Sequence, residues 1–240
     1  MRIHRLARTG STQDELERLA EAGAPAGTVV VAETQEAGRG SRGRRWASPP
    51  GGLWMSVLAR PAGPDAAEVA SVRAGLAVIG ALRATLGALP LALKWPNDLL
   101  LDSRKVGGIL CESRWHGAAL AWVAVGVGLN VQNAPPADAR VPATRLADWA
   151  PAARPEALVE PVARALAVLE SRRGPLADDE LAAFAAVDAL RGTTVLAPER
   201  GVALGLRADG ALRLRRADGS EAVLRHGPVE WAPATTSSRD

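Results

Sequence analysis

Three patterns in the sequence predict an α+β chain that closes in a small antiparallel barrel. Residues 28–32, 53–59 and 121–127 are β-branched or almost wholly apolar runs of strand length. Residues 66–86 repeat apolar side chains at helical spacing, through Val69, Val72, Leu76, Ile79 and Leu82. Beyond Arg191 the apolar runs shorten to 193–196, 202–206, 212–215 and 223–224, punctuated by Asp209 with Gly210 and Asp218 with Gly219. Two Asp-Gly turns so close together are a hairpin signal and point to the barrel.

The bulk properties set limits. A chain of 240 residues suits one large domain, or one large and one small, and 48% hydrophobic residues exclude disorder for most of it. The net charge of +3 is small and arginine is spread along the chain, which is weak grounds for a nucleic-acid partner. No apolar run reaches the eighteen or so residues of a membrane span. The start, MRIHRLARTG, has charges with no apolar segment behind them, so neither a membrane partner nor a secretory signal is expected. The lone Cys111 allows no internal disulfide and fits a reducing cytoplasm. Its apolar setting makes it core rather than nucleophile.

In chain order, Thr12 and Glu15 match an S/T-x-x-E capping box. Leu16, Leu19 and Ala20 give the apolar face of the helix, and Gly23 ends it. Capping accounts for Ser11 and Thr12, yet hydroxyls at a helix start also suit a polar ligand. The strand at 28–32 runs into Gln35 and then into Gly38, Arg39, Gly40, Ser41, Arg42, Gly43, Arg44, Arg45 and Trp46. Three glycines and four arginines there cannot pack as core, and their amides and guanidinia can fold around phosphate. An exposed basic loop, or a nucleic-acid contact with Trp46 stacked on a base, is the alternative. The strand at 121–127 delivers Asn130 to an edge lined by Gly126 and Gly128, 131–153 reads as loop, and 157–173 and 179–189 read as helices outside the core.

The most informative stretch is LKWPNDLLLDSRKVGGIL, which reads as a hairpin of 91–94 and 99–101 turning through Asp102, Ser103 and Arg104 into a strand at 106–111. Of 29 Lys plus Arg only two are lysine, Lys94 and Lys105, and both fall here. Two rare residues can meet by chance. A compact ammonium, however, fits a tight oxygen cluster where a planar guanidinium does not. Gly107 and Gly108 imply that a ligand or another backbone comes close. Asparagine is confined to 97, 130 and 133 and glutamine to 13, 35 and 132, beside these same motifs. An amide offers a donor and an acceptor together, as recognition of a neutral polar group requires.

Taken together, GSTQD, TQEAGRGSRGRRW, SPPGGLWMSV, KWPNDLLLDSRKVGGIL and VGVGLNV, in this order and followed by the terminal barrel, resemble the biotin–protein ligase family, also called biotin–[acetyl-CoA-carboxylase] ligase. The resemblance runs from about residue 3 to residue 231. It implies a central mixed β-sheet flanked by helices, like that of class II synthetases, with an SH3-like C-terminal barrel. It divides the chain into a catalytic domain at 1–188, the barrel at 189–232 and a flexible tail at 233–240. It also implies biotin and ATP as substrates, Mg²⁺ as cofactor, biotinyl-5′-AMP as intermediate and a biotin carboxyl carrier protein as partner.

On this resemblance, Ser11, Thr12, Gln13, Gln35, Arg39, Gly40, Ser41, Lys105, Gly108 and Gly126 are expected around biotin. Arg42, Arg44, Trp46, Lys94, Asn97, Asp98 and Asn130 are expected around the nucleotide, with Lys105, Arg39 and Asp98 catalytic. The Gly-Arg loop is expected to be mobile until it closes over the water-labile adenylate.

Two departures stand out. Ser41 replaces a usual arginine, which removes a charge from the lid and puts weight on Arg42, and Gln13 replaces a usual asparagine. The chain begins at the catalytic domain, so a ligase without DNA binding is expected. Members often dimerise through that domain, which admits a homodimer that no residue here requires. A lipoate or octanoate ligase is the rival enzyme, disfavoured by the amides, the hydroxyls and the barrel. A non-catalytic RNA-binding protein explains the loop and Trp46 but leaves the lysines, Asp98 and Asn130 without a role.

Overall fold

The computed structural model describes residues 1–61, 63–135 and 141–232, and the expected tail at 233–240 lies outside them. The first half contains β1 (Arg2–Thr9), α1 (Thr12–Glu21), β2 (Thr28–Gln35), β3 (Leu53–Ala59), α2 (Pro64–Glu68) and α3 (Ala70–Leu86). It continues through β4 (Leu91–Lys94), β5 (Asp98–Leu101), β6 (Arg104–His116) and β7 (Ala119–Leu129). Three helices follow, α4 (Pro155–Ala165), α5 (Val168–Ser171) and α6 (Asp178–Ala185). The chain ends in β8 (Thr194–Ala197), β9 (Gly201–Leu206), β10 (Leu212–Arg215), β11 (Glu221–Leu224) and β12 (Glu230–Ala232).

A seven-stranded sheet in the order β1-β2-β3-β7-β6-β5-β4 is the frame. It is mixed because β1 and β2 run parallel, joined by the α1 crossover, while β2 pairs antiparallel with β3 and β3 with β7. Every residue of β3 is buried, as suits a central strand covered on both faces. On one face Leu16 and Ala20 of α1 pack on Val30, Leu58, Trp122 and Ala124. On the other, α3 and α4 bury the larger core, with Val78, Leu82, Leu158 and Val162 at or near zero exposure.

A register shift between Leu99 and Leu100 bends β6. Leu100 pairs with Lys105, but Leu99 pairs with Gly107 and Asp98 with Gly108. The β5–β6 turn carries positive φ at Asp102 and Ser103, in the left-handed region that short polar side chains tolerate best.

Several expectations are corrected. β1 was not expected, since its arginines mask a half-buried edge strand. The N-cap of α1 is Ser11, whose hydroxyl accepts from the Gln13 N–H at 3.3 Å, so Thr12 and Glu15 form no capping box. The helix expected over 66–86 breaks at Val69 into α2 and α3. The one expected over 157–173 breaks into α4 and α5, and its apolar face lies in the core rather than outside it. The expected barrel is a five-stranded antiparallel sheet, β11-β10-β9-β8-β12, whose edge strands β11 and β12 are not paired with each other.

Candidate active site

A cavity of about 490 Å³ opens on the α1 side of the sheet, within the range of small-molecule sites. Its base comes from the lips of β3, β6 and β7, which contribute Met55, Ser56, Lys105, Gly108, Ile109, Leu110, Gly126, Val127 and Gly128. The start of α1 supplies Ser11, Thr12 and Gln13, and the loop after β2 supplies Arg39, Gly40, Ser41, Arg44 and Trp46. Gln35, Asn97, Asp98 and Asn130 also line it. Of the site residues expected from sequence, Arg42 and Lys94 alone lie off the wall.

The polar end is tightly wired. Gln35 Oε1 accepts from the Thr12 N–H at 2.8 Å and from its hydroxyl at 3.1 Å, while Gln35 Nε2 donates to Ser48 Oγ at 2.7 Å. The Thr12 hydroxyl also lies 2.8 Å from Ser56 Oγ. Gln13 Nε2 donates to Glu112 Oε2 at 2.8 Å, and its carbonyl oxygen stays buried with no partner. A Cβ at Gly126 would meet that amide at 3.2 Å, so this glycine makes room for Gln13.

Two asparagines spend their donors on backbone. Asn97 Nδ2 donates to the Ile109 carbonyl at 2.7 Å and Asn130 Nδ2 to the Thr144 carbonyl at 3.1 Å. The second bond helps bring Val141 and Ala143 to the wall, beside Lys105. Sequence reasoning missed Met55, Ser56, Ala47, Ile109, Leu110, Val127, Val141 and Ala143. It also missed Glu112, which holds both Gln13 and Arg39. Two signals were available, a serine inside the otherwise apolar β3 and a glutamate directly after the apolar run of β6.

The Gly-Arg loop is a narrow ladder. Gln35 bridges Ser48, Arg39 bridges Arg45, and the Trp46 N–H donates to the Gly38 carbonyl at 2.8 Å. Gly38 has no room for a Cβ, which would sit 2.5 Å from the Trp46 carbonyl oxygen. Arg39 turns onto the carboxylates of Asp14, Glu112 at 2.8 Å and Glu17 at 3.7 Å. Burial is the main force pushing the Glu17 carboxyl above its ordinary value, partly offset by Arg39. Arg44 donates to Ser41 Oγ at 2.9 Å, so a guanidinium stands beside Ser41, whereas Arg42 is exposed at the tip with φ of 61°. Trp46 lies edge-on to Trp54, with centroids 6.5 Å apart, and its indole covers Gly128, where a Cβ would be 2.8 Å from Nε1.

At the other end Lys105 Nζ donates to Asp98 Oδ1 and stands 5.2 Å from the centre of the Trp46 ring. Lys94 Nζ is 3.8 Å from Asp98 Oδ2, buried beneath the wall. Desolvation, helped by the Lys105 and Arg44 charges, pushes the Lys94 pKa below its ordinary value, and Asp98 opposes that shift. Among the described residues five buried side-chain atoms lack a hydrogen-bond partner. Three of them, Gln13 Oε1, Arg39 Nε and Trp46 Nε1, belong to residues of this cavity. Gln13 Oε1 is an acceptor, and Arg39 Nε and Trp46 Nε1 are donors.

Residues 6–130 match the Biotin/lipoate A/B protein ligase family. A biotin–[acetyl-CoA-carboxylase] ligase of Paracoccus denitrificans is 36% identical over 231 residues, which cover 91% of this chain and 96% of that protein. The solved structure of Aquifex aeolicus biotin protein ligase in complex with biotin and ATP matches with a TM-score of 0.78 at 25% identity, covering 97% of this chain and 99% of that one. Leishmania major biotin protein ligase in complex with biotinyl-5-AMP matches with a TM-score of 0.67 at 29% identity, covering 93% of this chain and 98% of that one.

Proposed function

Because the chain belongs to the Biotin/lipoate A/B protein ligase family, we propose that it is a biotin–[acetyl-CoA-carboxylase] ligase. A biotin carboxylate oxygen attacks the α-phosphorus of ATP, the bond to the bridging oxygen breaks, and pyrophosphate leaves. The amine of a carrier-protein lysine then attacks the acyl carbon of biotinyl-5′-AMP, and AMP leaves with the former carboxylate oxygen.

The observation that carries this reading is the pairing of an amide-and-hydroxyl end, where Gln13 Oε1 lacks a partner, with a Lys105–Asp98 end in one cavity. A ureido head supplies N–H donors to the first, and a carboxylate meeting a phosphate calls for the cation of the second. Attack brings two anions together, so the site must neutralise them in place. Lys105 takes that task on the sheet side and Arg39 on the loop side. Ser11, Thr12, Gln35, Gly40, Ser41, Gly108 and Gly126 shape the biotin end. Arg44, Trp46, Asn97 and Asn130 shape the nucleotide end, with Lys94 and Arg42 acting from outside the wall.

Mg²⁺ is held in such reactions by one or two carboxylates plus substrate phosphates. Asp98 is the carboxylate among the lining residues, so it would hold the ion, which supplies further charge neutralisation on the phosphates. A cytoplasmic setting belongs to the same reading, supported by the single half-buried cysteine. So does the division into a catalytic unit at 1–188 and a C-terminal unit at 189–232, supported by two sheets that share no strand. An RNA-binding role is disfavoured because the arginines at 39, 44 and 45 are engaged within the protein and the Trp46 ring is packed. A ligase without DNA binding belongs to the same reading, and light scattering tests the homodimer.

The test is pyrophosphate release with biotin, lipoate or octanoate, followed by mass analysis of a carrier domain. Biotin alone is expected to turn over and to add one biotinyl group to a single lysine. Turnover with lipoate or octanoate and none with biotin would overturn the assignment.

A further inference from the structure

Granting the role of Lys105 proposed above, we infer that Trp231, on the last strand of the C-terminal sheet, is a positioning residue for the reactive centre. Its indole face holds the Lys94 ammonium against Asp98, and Asp98 in turn orients Lys105 in the cavity.

In the β4–β5 hairpin Lys94 and Asp98 are direct cross-strand partners, so both side chains leave the same face. Asp98 divides its oxygens, Oδ1 accepting from Lys105 and Oδ2 lying 3.8 Å from Lys94. Lys94 does not line the cavity, and its side chain is only 7% exposed. A buried ammonium needs compensation from its surroundings. The charged groups facing it are Asp98 of β5, Lys105 of β6 and Arg44 of the loop, and two of these three repel it. The remaining attraction comes from β12, where the Trp231 ring centre lies 4.2 Å from Nζ.

The neighbours of Lys94 are gripped from the same side. Trp95 Nε1 donates to the Gly210 carbonyl at 2.9 Å, and the Pro96 ring lies 2.7 Å from where a Cβ on Gly227 would be. Three consecutive residues of the KWPND turn thus rest on three points of the C-terminal sheet and its turns. When an anionic substrate draws Lys105 off Asp98, Lys94 still holds that carboxylate in place.

The composition makes a direct test available, because lysine labelled with ¹³C at Cε gives signals from Lys94 and Lys105 alone. Lys94→Met assigns them. In Trp231→Leu the Lys94 and Lys105 signals are both expected to shift, while Trp231→Phe recovers most of both. Pyrophosphate release by Trp231→Leu should lose about tenfold in kcat, the scale of a desolvated cation–π contact. Its KM for biotin should stay within about twofold of the parent, since Trp231 does not line the cavity. The inference is overturned if Trp231→Leu keeps the parent Lys105 signal and kcat. It is equally overturned if the losses accompany general unfolding and Phe recovers none. A parent inactive with biotin defeats the ligase reading instead, and the shifts of the two lysine signals still decide the part played by Trp231.

Discussion

The two charged walls of the cavity are built differently. On the sheet side, Lys94, Asp98 and Lys105 stand on paired strands with side chains 7%, 20% and 17% exposed. On the loop side Arg39 is 33% exposed, and its partners Asp14, Glu17 and Glu112 are 52%, 38% and 35% exposed. Buried charges on a rigid frame are little screened and cannot relax, so they act as a fixed field. Charges on a loop, paired with half-exposed carboxylates, hold weakly and can change partners. The sheet wall is therefore suited to neutralising the reacting anions and the loop wall to capturing and releasing them.

The largest expected effect is at the fixed wall. Lys105→Ala should lower kcat for pyrophosphate release by about 10²–10³, the loss typical of one preorganised donor. A fall smaller than tenfold would place the fixed charge elsewhere. Arg39→Ala should cost only about tenfold, because a half-exposed partner is partly replaced by water and salt. Equal losses at both positions would break the comparison.

The loop wall can be probed without mutation. Trypsin should cut the exposed tip at Arg42, and biotin with ATP should slow that cut; equal rates with and without ligands would argue against closure. Raising salt from about 0.1 M to about 1 M, which shortens the screening length from about 10 Å to about 3 Å, should shrink the Arg39→Ala deficit and leave that of Lys105→Ala. The smallest effect concerns Lys94. Its folded-state pKa is lowered, so between that pKa and the ordinary 10.5 the unfolded chain binds more protons. Its contribution to stability therefore rises with pH across that window. Urea unfolding of Lys94→Met should lack this rise, and parallel pH slopes for parent and variant would refute it.

Much of this was legible in advance, and the failures have physical causes. The bounds of β3 were readable because a strand buried on both faces is apolar throughout. β1 was not, because an edge strand with Arg2, Arg5 and Arg8 hides its pairing. β6 was expected to end at Cys111. It continues through a polar tip to His116, carried by its ladder with β7, which no local pattern announces. Most of the residues that the rare lysines and amides pointed to line the cavity. Lys94 lies one layer beneath the cavity wall, paired across the strands with Asp98. Val141 is not announced by nearby sequence, because a distant segment brings it to the wall beside Lys105.

The bend in β6 has a further consequence. Side chains alternate along a strand, so residues 105 and 108, an odd number apart, belong on opposite faces. The extra residue opposite Leu99 and Leu100 cancels that half-turn. Lys105 thereby shares one side of the sheet with Gly108 and Leu110, and with Glu112, which binds Arg39. Were the ladder to run through Val106 in regular register, with no bulge, the ammonium would swing to the far side, disarming the protein while leaving every cavity residue in its sequence.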